Sequence, residues 1–167
     1  WLGQDPTSSQ GPFTWYVMGQ TGFDYAFANY GSSDTINLLA GSYVTDGIVI
    51  DKDLILSGAG SATTTISDTP AATGNMISFT HFLSNLVVEN LHLIKNTEST
   101  GIGSALYFSG SFSDVTIKNM KFTGHSTGYE ANESDTAIGW QNVTGTVTID
   151  SCVFENTAEH IDRKSVV

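Results

Sequence analysis

The chain has 167 residues and a formal net charge of −11, with only six basic residues. This acidity argues against binding to nucleic acid or to an anionic membrane surface. No apolar stretch approaches the ~20 residues of a membrane-spanning helix, so no membrane span is expected. The length is that of a single domain, and the one cysteine, Cys152, excludes a disulfide within the chain.

The N-terminal third of the chain alternates short strand signals with one helical signal. Residues 13–18 are aromatic and strand-like, and residues 23–31 place apolar side chains at 23, 26, 27 and 30 ahead of a glycine. Residues 35–38, 47–50 and 52–60 then read as strands separated by Gly and Asp turns. We therefore expect a short helix followed by closely spaced strands.

The rest of the chain repeats itself. Residues 86–93, 115–122 and 147–154 align almost without gaps, with steps of 29 and then 32 residues. Each segment follows a shorter alternating segment that ends at Phe79, Phe108 or Trp140. A self-similar period of this length is typical of stacked repeats, here of the form strand, bend, strand.

The bend within each repeat follows from the positions of the apolar residues. Leu86 and Val88 have the opposite parity to Leu91 and Leu93, so an unbroken strand would place the two pairs on opposite faces. A bend at residue 90 turns all four inward, and Asn is the non-glycine residue that most readily adopts a left-handed backbone. The equivalent bend residues are Asn90, Asn119 and Ser151. The inward columns are Leu86/Val115/Val147, Val88/Ile117/Ile149, Leu91/Met120/Cys152 and Leu93/Phe122/Phe154.

Residues 34–43, 48–58 and 64–66 resemble the opening coils of right-handed parallel β-helix proteins of the pectin-lyase-like superfamily. The resemblance covers residues 23–156 and implies an all-β fold, a right-handed parallel β-helix (solenoid) of about five coils with a short N-terminal capping helix. The expected layout is one domain, with an N-terminal segment and cap at 1–31, coils at 32–156 and a C-terminal tail at 157–167, where the repeat pattern stops.

The same resemblance implies an activity to look for. Enzymes of this superfamily act on acidic polysaccharides, generally with Arg or Lys and often with calcium or paired aspartates on the outward face of the central coils. The only arginine here is Arg163, in the tail, and Lys118 and Lys121 lie on one coil without an arginine partner. No catalytic residue can be carried over. A non-catalytic structural or adhesive role is therefore the leading expectation, with a polysaccharide-active lyase, hydrolase or esterase, or a fragment of one, as the alternative.

Two candidate ligand sites stand out. The insertion that lengthens the second repeat is an acidic loop, and Glu130, Glu133 and Asp135 could together hold Ca²⁺, although a solvated loop explains the same residues. No other cofactor is expected. Tyr107 and Tyr129 are the candidate carbohydrate-contacting residues, and a polysaccharide is the candidate ligand.

The remaining signals concern the location and the assembly of the chain. Asn132 and Asn142 open N-glycosylation acceptor triplets, which also arise by chance in a chain rich in Asn and Thr. The sequence begins at Trp1 rather than Met, so an export signal would lie outside it, and an extracellular or cell-surface location fits best.

The four scattered histidines and one inward cysteine do not predict zinc. Self-association through solenoid ends or terminal segments, which could propagate head to tail into a filament, is expected alongside two alternatives: a tail that folds back as a local cap, and a chain that continues.

Overall fold

The computed structural model describes residues 11–69, 74–80, 83–95, 103–124, 135–141, 144–157 and 159–164. These residues are mostly β, with one short helix, α1, at Gly19–Asn29, and three sheets in which every strand pairing is parallel.

The strands fall into three sheets, which are named A, B and C. Sheet A contains β1 (Thr14–Val17), β2 (Asp34–Leu38), β5 (Leu54–Gly58), β8 (Leu86–Glu89), β11 (Asp114–Lys118) and β14 (Thr146–Asp150). Sheet B contains β3 (Gly41–Thr45), β6 (Thr64–Asp68), β9 (His92–Ile94), β12 (Lys121–Thr123) and β15 (Val153–Glu155). Sheet C contains β4 (Ile48–Ile50), β7 (Ile77–Thr80), β10 (Gly103–Ser109), β13 (Asp135–Gln141) and β16 (Glu159–Lys164).

From β2 onward the chain visits sheets A, B and C in the same order each time. One such passage is called a coil, and β2–β3–β4 through β14–β15–β16 make up the coils of the described residues. Within the coils, each strand pairs with the strand three places along the chain, one coil away, and β1 pairs with β2 ahead of the first coil. This stacking of parallel strands is solenoid-like and is consistent with a parallel β-helix.

The predicted register of the repeats is confirmed. Val115 pairs with Leu86 and with Val147, and Phe122 pairs with Leu93 and with Phe154, so the steps are 29 and then 32 residues. The inward parity is also confirmed, because Leu86 and Leu93 have no exposed area and Val115 only 1%.

The predicted bend is confirmed as well. Asn90, Asn119 and Ser151 have φ values of 59°, 54° and 52°, in the left-handed region between the strands of sheets A and B. The Nδ2 of Asn119 donates a hydrogen bond of 3.2 Å to Oδ1 of Asn90, so successive bends are joined to each other. The sequence pattern therefore predicted both the position of this corner and the left-handed backbone conformation of its residue.

The helix begins earlier than predicted. α1 spans Gly19–Asn29, whereas the apolar spacing predicted residues 23–31, because its first turn is polar or glycine and gives no periodic signal. Its buried residues Phe23 and Ala26 face the first coil, and the Phe23 ring stacks on Tyr43 of β3 at 5.2 Å. The aromatic segment before it forms β1, as the strand signal predicted, and the structure adds that β1 pairs with β2 in sheet A.

The C-terminal end differs from the expectation. The repeat pattern was predicted to stop after Phe154, but β16 adds a further strand beside β13, with Ile161 paired to Ile138 and Arg163 to Trp140. The strand was hard to recognise in the sequence because its apolar alternation is interrupted. A charged residue occupies the position at which the preceding coils have aromatic residues. Strand β16 therefore lies inside the segment 157–167 that was expected to be a tail.

Candidate functional site

Tyr107 is the predicted site residue that the structure describes in full. It lies at the centre of β10 between Leu106 and Phe108, which have no exposed area, so its ring is on the outward face of sheet C. Its hydroxyl donates a hydrogen bond of 2.7 Å to Oε1 of Gln141 on β13. The structure thus brings together an aromatic ring and a side-chain amide from neighbouring coils.

The residue beside Tyr107 in the next coil is Gly139. A Cβ at Gly139 would lie 2.5 Å from Oγ of Ser104 and 3.3 Å from Cδ2 of Tyr107, so a side chain there would force its neighbours to move. The absence of a side chain at 139 leaves room for the Tyr107 ring to lean toward Gln141. We call Tyr107, Gly139 and Gln141 the sheet C platform.

The chemistry of the sheet C platform suits a polar ligand with an apolar face. The partly exposed face of the Tyr107 ring can pack against a flat apolar surface, and the Gln141 amide keeps its Nε2 donors beside the accepting Oε1. Gln141 was missed at the sequence level. Only the 32-residue register step places it diagonally across from Tyr107, and no local motif marks it.

The other predicted site residues are described only in part. Asp135 is the first residue of β13 and pairs with Gly103, but the position of its side chain lies outside the described residues. Tyr129, Glu130, Asn132, Glu133 and Asn142 also lie outside them. The calcium loop, the second aromatic contact and the glycosylation acceptors therefore stay predictions.

The outward face of sheet A carries a line of charges. Lys118 pairs in register with Glu89 on one side and with Asp150 on the other. Its Nζ lies 2.9 Å from Oε2 of Glu89, whose Oε1 accepts a hydrogen bond of 3.0 Å from Ser57 of the preceding coil. These polar groups join three successive coils.

Sheet B has a similar outward network. His92 lies beside Lys121 of the next coil, and its Nε2 is 2.9 Å from Oγ1 of Thr123. The Nζ of Lys121 lies 2.9 Å from Oε2 of Glu155, one further coil along. Burial, followed by the positive charge of Lys121, lowers the pKa of His92 from its usual value.

Cys152 occupies the inward column of Leu91 and Met120 but is less enclosed than either, because it belongs to the last described coil. Burial is the main cause that raises the pKa of its thiol, so the thiolate is disfavoured. This arrangement fits a packing residue, and the thiol has no feature of an activated nucleophile.

An ion pair that the sequence did not predict lies at the corner between sheets B and C. The Nζ of Lys95 is 3.4 Å from Oδ2 of Asp68 in the preceding coil and donates a hydrogen bond of 2.8 Å to the carbonyl of Gly74. The two residues are adjacent in the stack, because Ile94 pairs with Ser67. Both are buried, so the pair is a part of the core and is not accessible to a ligand.

A groove of about 590 Å³ lies where α1 meets the turn between β3 and β4. The Gln20 side chain closes one wall, since its amide both donates to the Val44 carbonyl and accepts from the Val44 N–H, each at 2.8 Å. Gln20 thereby occupies the outer edge of β3 as a neighbouring strand would. Asp24 and Asp46 make the groove acidic.

Within the described residues, no group of three or more His, Cys, Asp or Glu side chains is placed to hold a metal ion. The same residues contain no helix that is long and apolar enough to cross a membrane. Comparisons of the chain with models of protein families, with curated proteins and with solved structures find no match.

Proposed function

We propose that the chain is a right-handed parallel β-helix of the pectin-lyase-like type. Three sheets of parallel strands, visited in a constant order, support this proposal. The right hand follows from the general rule that crossovers between parallel strands are right-handed in ~98% of cases. The opening-coil motifs at residues 34–43 and 48–58 support the superfamily, since they lie on β2 to β5.

We further propose that this β-helix is a non-catalytic, extracellular structural or adhesive protein. The observation that carries the proposal is that outward polar side chains of neighbouring coils bind each other. Glu89 binds Lys118, Lys121 binds Glu155, and Asn90 binds Asn119. Groups that catalysis would need free and converging are here engaged along the stack, where they hold register from coil to coil.

The adhesive part of the proposal concerns polysaccharides and the sheet C platform. Sugars offer both apolar ring faces and hydroxyls, and the Tyr107 ring beside the Gln141 amide matches both features. A row of stacked coils also gives an extended surface, on which a linear polymer can contact several coils at once.

Binding and turnover can be separated in one set of experiments. The purified chain is incubated with pectin, polygalacturonate and alginate, and both retention on the immobilised polymer and new reducing or unsaturated ends are measured. We expect retention without new chain ends, and at least a fivefold weaker retention for Tyr107→Ala. Tyr16→Ala is the matched control, because Tyr16 is 53% exposed on sheet A, away from the platform.

The enzymatic alternative would be favoured by new chain ends that accumulate with time. Loss of that turnover in Lys118→Ala or Lys121→Ala would place the chemistry on the central coils. Turnover that survives both changes would place it elsewhere. Absence of retention on all three polymers, with no turnover, would remove the polysaccharide part of the proposal and leave the structural part. Labelling of intact cells with an antibody against the chain tests the extracellular location.

A further inference from the structure

The groove beside α1 combines an apolar lining with two carboxylates. Its volume of about 590 Å³ lies within the usual range of ligand pockets, about 300–1,000 Å³. Phe27 of α1 and Ile48 and Val49 of β4 contribute apolar groups, and Val49 is 63% exposed. Asp24 lines the groove from α1, and Asp46 lines it from the turn between β3 and β4. All the lining residues belong to the described part of the chain, so the groove is defined without any other segment.

Each of the two carboxylates is held by one uncharged donor. Oδ1 of Asp24 accepts a hydrogen bond of 2.7 Å from Nε2 of Gln20, and Oδ1 of Asp46 accepts one from Oγ1 of Thr69. Neither aspartate forms an ion pair with a described side chain. The groove therefore carries two negative charges from different elements, and the Oδ2 atom of each aspartate is available to a donor from outside.

The positive charge that would match these carboxylates is scarce in the chain, which has six basic residues and a formal net charge of −11. Arg163 and Lys164 are on β16, four strands from β4 across sheet C, or about 19 Å. The lysines with described side chains are engaged elsewhere: Lys118 with Glu89, Lys121 with Glu155, Lys95 with Asp68, and Lys52 with the carbonyl and the ring of Tyr30. The charge of the groove is thus complementary to another molecule, and the acidity of the chain attracts a cation toward it.

The lining matches one kind of cation, the side chain of a Lys or Arg residue. Such a side chain packs its aliphatic stem on apolar groups and keeps its charged end at the surface. Phe27, Ile48 and Val49 suit the stem, and Asp24 and Asp46 suit the charge. A calcium ion would instead need six to eight oxygen ligands, more than two carboxylates supply.

The backbone of β4 favours a peptide over a free amine. The N–H of Ile48 donates to the carbonyl of Met76 at 2.8 Å, on the β7 side. Alternate residues of a parallel ladder bond to opposite sides, so the N–H and C=O of Val49 point away from β7. β4 is the end strand of sheet C, and no described strand pairs with it there. An extended peptide along β4 can therefore form backbone hydrogen bonds with Val49.

The neighbouring strand shows that a peptide-like group fits at this end of the stack. The side-chain amide of Gln20 both donates to and accepts from the backbone of Val44 on β3, each at 2.8 Å. Gln20 and Val44 both line the groove. A bound peptide would repeat on β4 the pairing that Gln20 makes on β3.

We propose that the groove binds an extended basic segment of a partner protein, with a Lys or Arg side chain held by Asp24 and Asp46 and the peptide backbone along β4. The contact uses no residue of the sheet C platform. It is therefore a second binding site, and it does not depend on the proposed binding of polysaccharide.

A titration with a defined peptide tests the proposal on the unmodified chain. The probe is acetyl-Thr-Val-Lys-Val-Thr-amide, and in the control peptide norleucine replaces lysine, which keeps the stem and removes the charge. Amide NMR spectra of the full chain measure both the affinity and the place of binding. We expect shifts at Gln20 and Val49 and about tenfold weaker binding of the norleucine peptide. Equal affinities, shifts confined to other residues, or no binding of the lysine peptide would overturn the proposal.

Variants of the chain separate this site from a general attraction to an acidic protein. Asp24→Asn keeps an acceptor for Gln20 and should bind the lysine peptide about threefold more weakly. Asp114→Asn is the matched control, because Asp114 is exposed on sheet A and the change in net charge is the same. Equal weakening of the two variants would overturn the proposal.

Two further measurements distinguish the partner. Tyr107→Ala should leave peptide binding unchanged while it weakens retention on polysaccharide, so the two proposals can fail separately. Sedimentation of the chain alone tests a second copy as the occupant. Self-association that Asp24→Asn removes and Asp114→Asn does not would assign the groove to a second copy and overturn the assignment to a partner protein.

Discussion

The ammonium of Lys95 lies 3.4 Å from Oδ2 of Asp68, and each side chain is only 2% exposed. The pair joins two successive coils at the corner between sheets B and C. Two charges removed from water are stabilised only when their remaining hydrogen-bonding capacity is also met. Here the Gly74 carbonyl accepts from Lys95 at 2.8 Å, and Gly103 leaves the space that the ammonium needs, because a Cβ there would lie 3.0 Å from Nζ.

Removal of the lysine charge alone should therefore be costly. We expect Lys95→Met to reduce the free energy of unfolding by about 3–5 kcal/mol, because a buried carboxylate loses its neighbouring cation. The double change Lys95→Met with Asp68→Leu should recover most of that loss. Urea denaturation of the two variants measures both values. If Lys95→Met lowered the free energy of unfolding by less than the double change, the result would show that the ion pair is solvated.

Phe108 and Phe154 should differ in their contribution to stability, although both occupy inward columns. Phe108 has no exposed area and stacks on Phe79 at 4.6 Å, with Phe112 and Trp140 also in contact. Phe154 stacks on Phe122 at 5.2 Å but is only partly buried. We expect Phe108→Ala to cost about 3–5 kcal/mol and Phe154→Ala clearly less. Equal costs in urea melts would mean that the last coil is as enclosed as the third, to which Phe108 belongs.

The sequence was sufficient to predict the parts of the fold that repeat. The columns that contain Leu86 and Leu93 recur with little substitution, and a parity change within each repeat requires a corner. Backbone sterics then restrict the corner residue to types that tolerate a left-handed conformation, as found at Asn90 and Asn119. Each of these inferences is supported by the same pattern in three repeats.

The parts of the structure that do not repeat were harder to predict from the sequence. Strand β16 carries Arg163 where Phe108 and Trp140 stand in earlier coils, so its period was hidden. The Lys95 pair was missed because its members are 27 residues apart, Asp68 ends strand β6, and Lys95 directly follows β9, so that each resembles an ordinary residue at a strand end. At the sheet C platform, Tyr107 was found from its own strand, while Gln141 depended on register across an insertion.

The corner between sheets A and B gives a prediction about backbone conformation. Asn119 has a φ of 54°, and its side chain donates to Asn90 in the coil before. We expect Asn119→Val to cost about 1–3 kcal/mol, since a β-branched residue is strained in the left-handed region. Asn119→Gly should cost less, because glycine accepts this conformation and only the hydrogen bond is lost.

Lys118→Ala is the matched control for the Asn119 variants. Lys118 adjoins the same corner, and its ion pair with Glu89 is partly exposed, so its loss should cost less than about 1 kcal/mol. Thermal and urea melts that ranked Lys118→Ala above Asn119→Val would contradict the assignment of strain to this corner.

The last prediction concerns the dependence of stability on pH. The pKa of His92 is lowered in the folded chain, first by burial and then by Lys121. The folded state thus binds a proton less readily than the unfolded state, whose histidine has a pKa of about 6.5. The contribution of this residue is fully present above pH 6.5 and is lost as the pH falls from there through the lower pKa of the folded state.

We therefore expect the midpoint of urea denaturation to fall between about pH 7 and 5, and to fall less in His92→Gln, which keeps a hydrogen-bonding group beside Thr123 but does not titrate. Carboxylates that titrate at lower pH contribute equally to both proteins, so the difference between the two curves isolates His92. Parallel curves over this range, or a wild-type chain that gains stability relative to His92→Gln on acidification, would refute the lowered pKa.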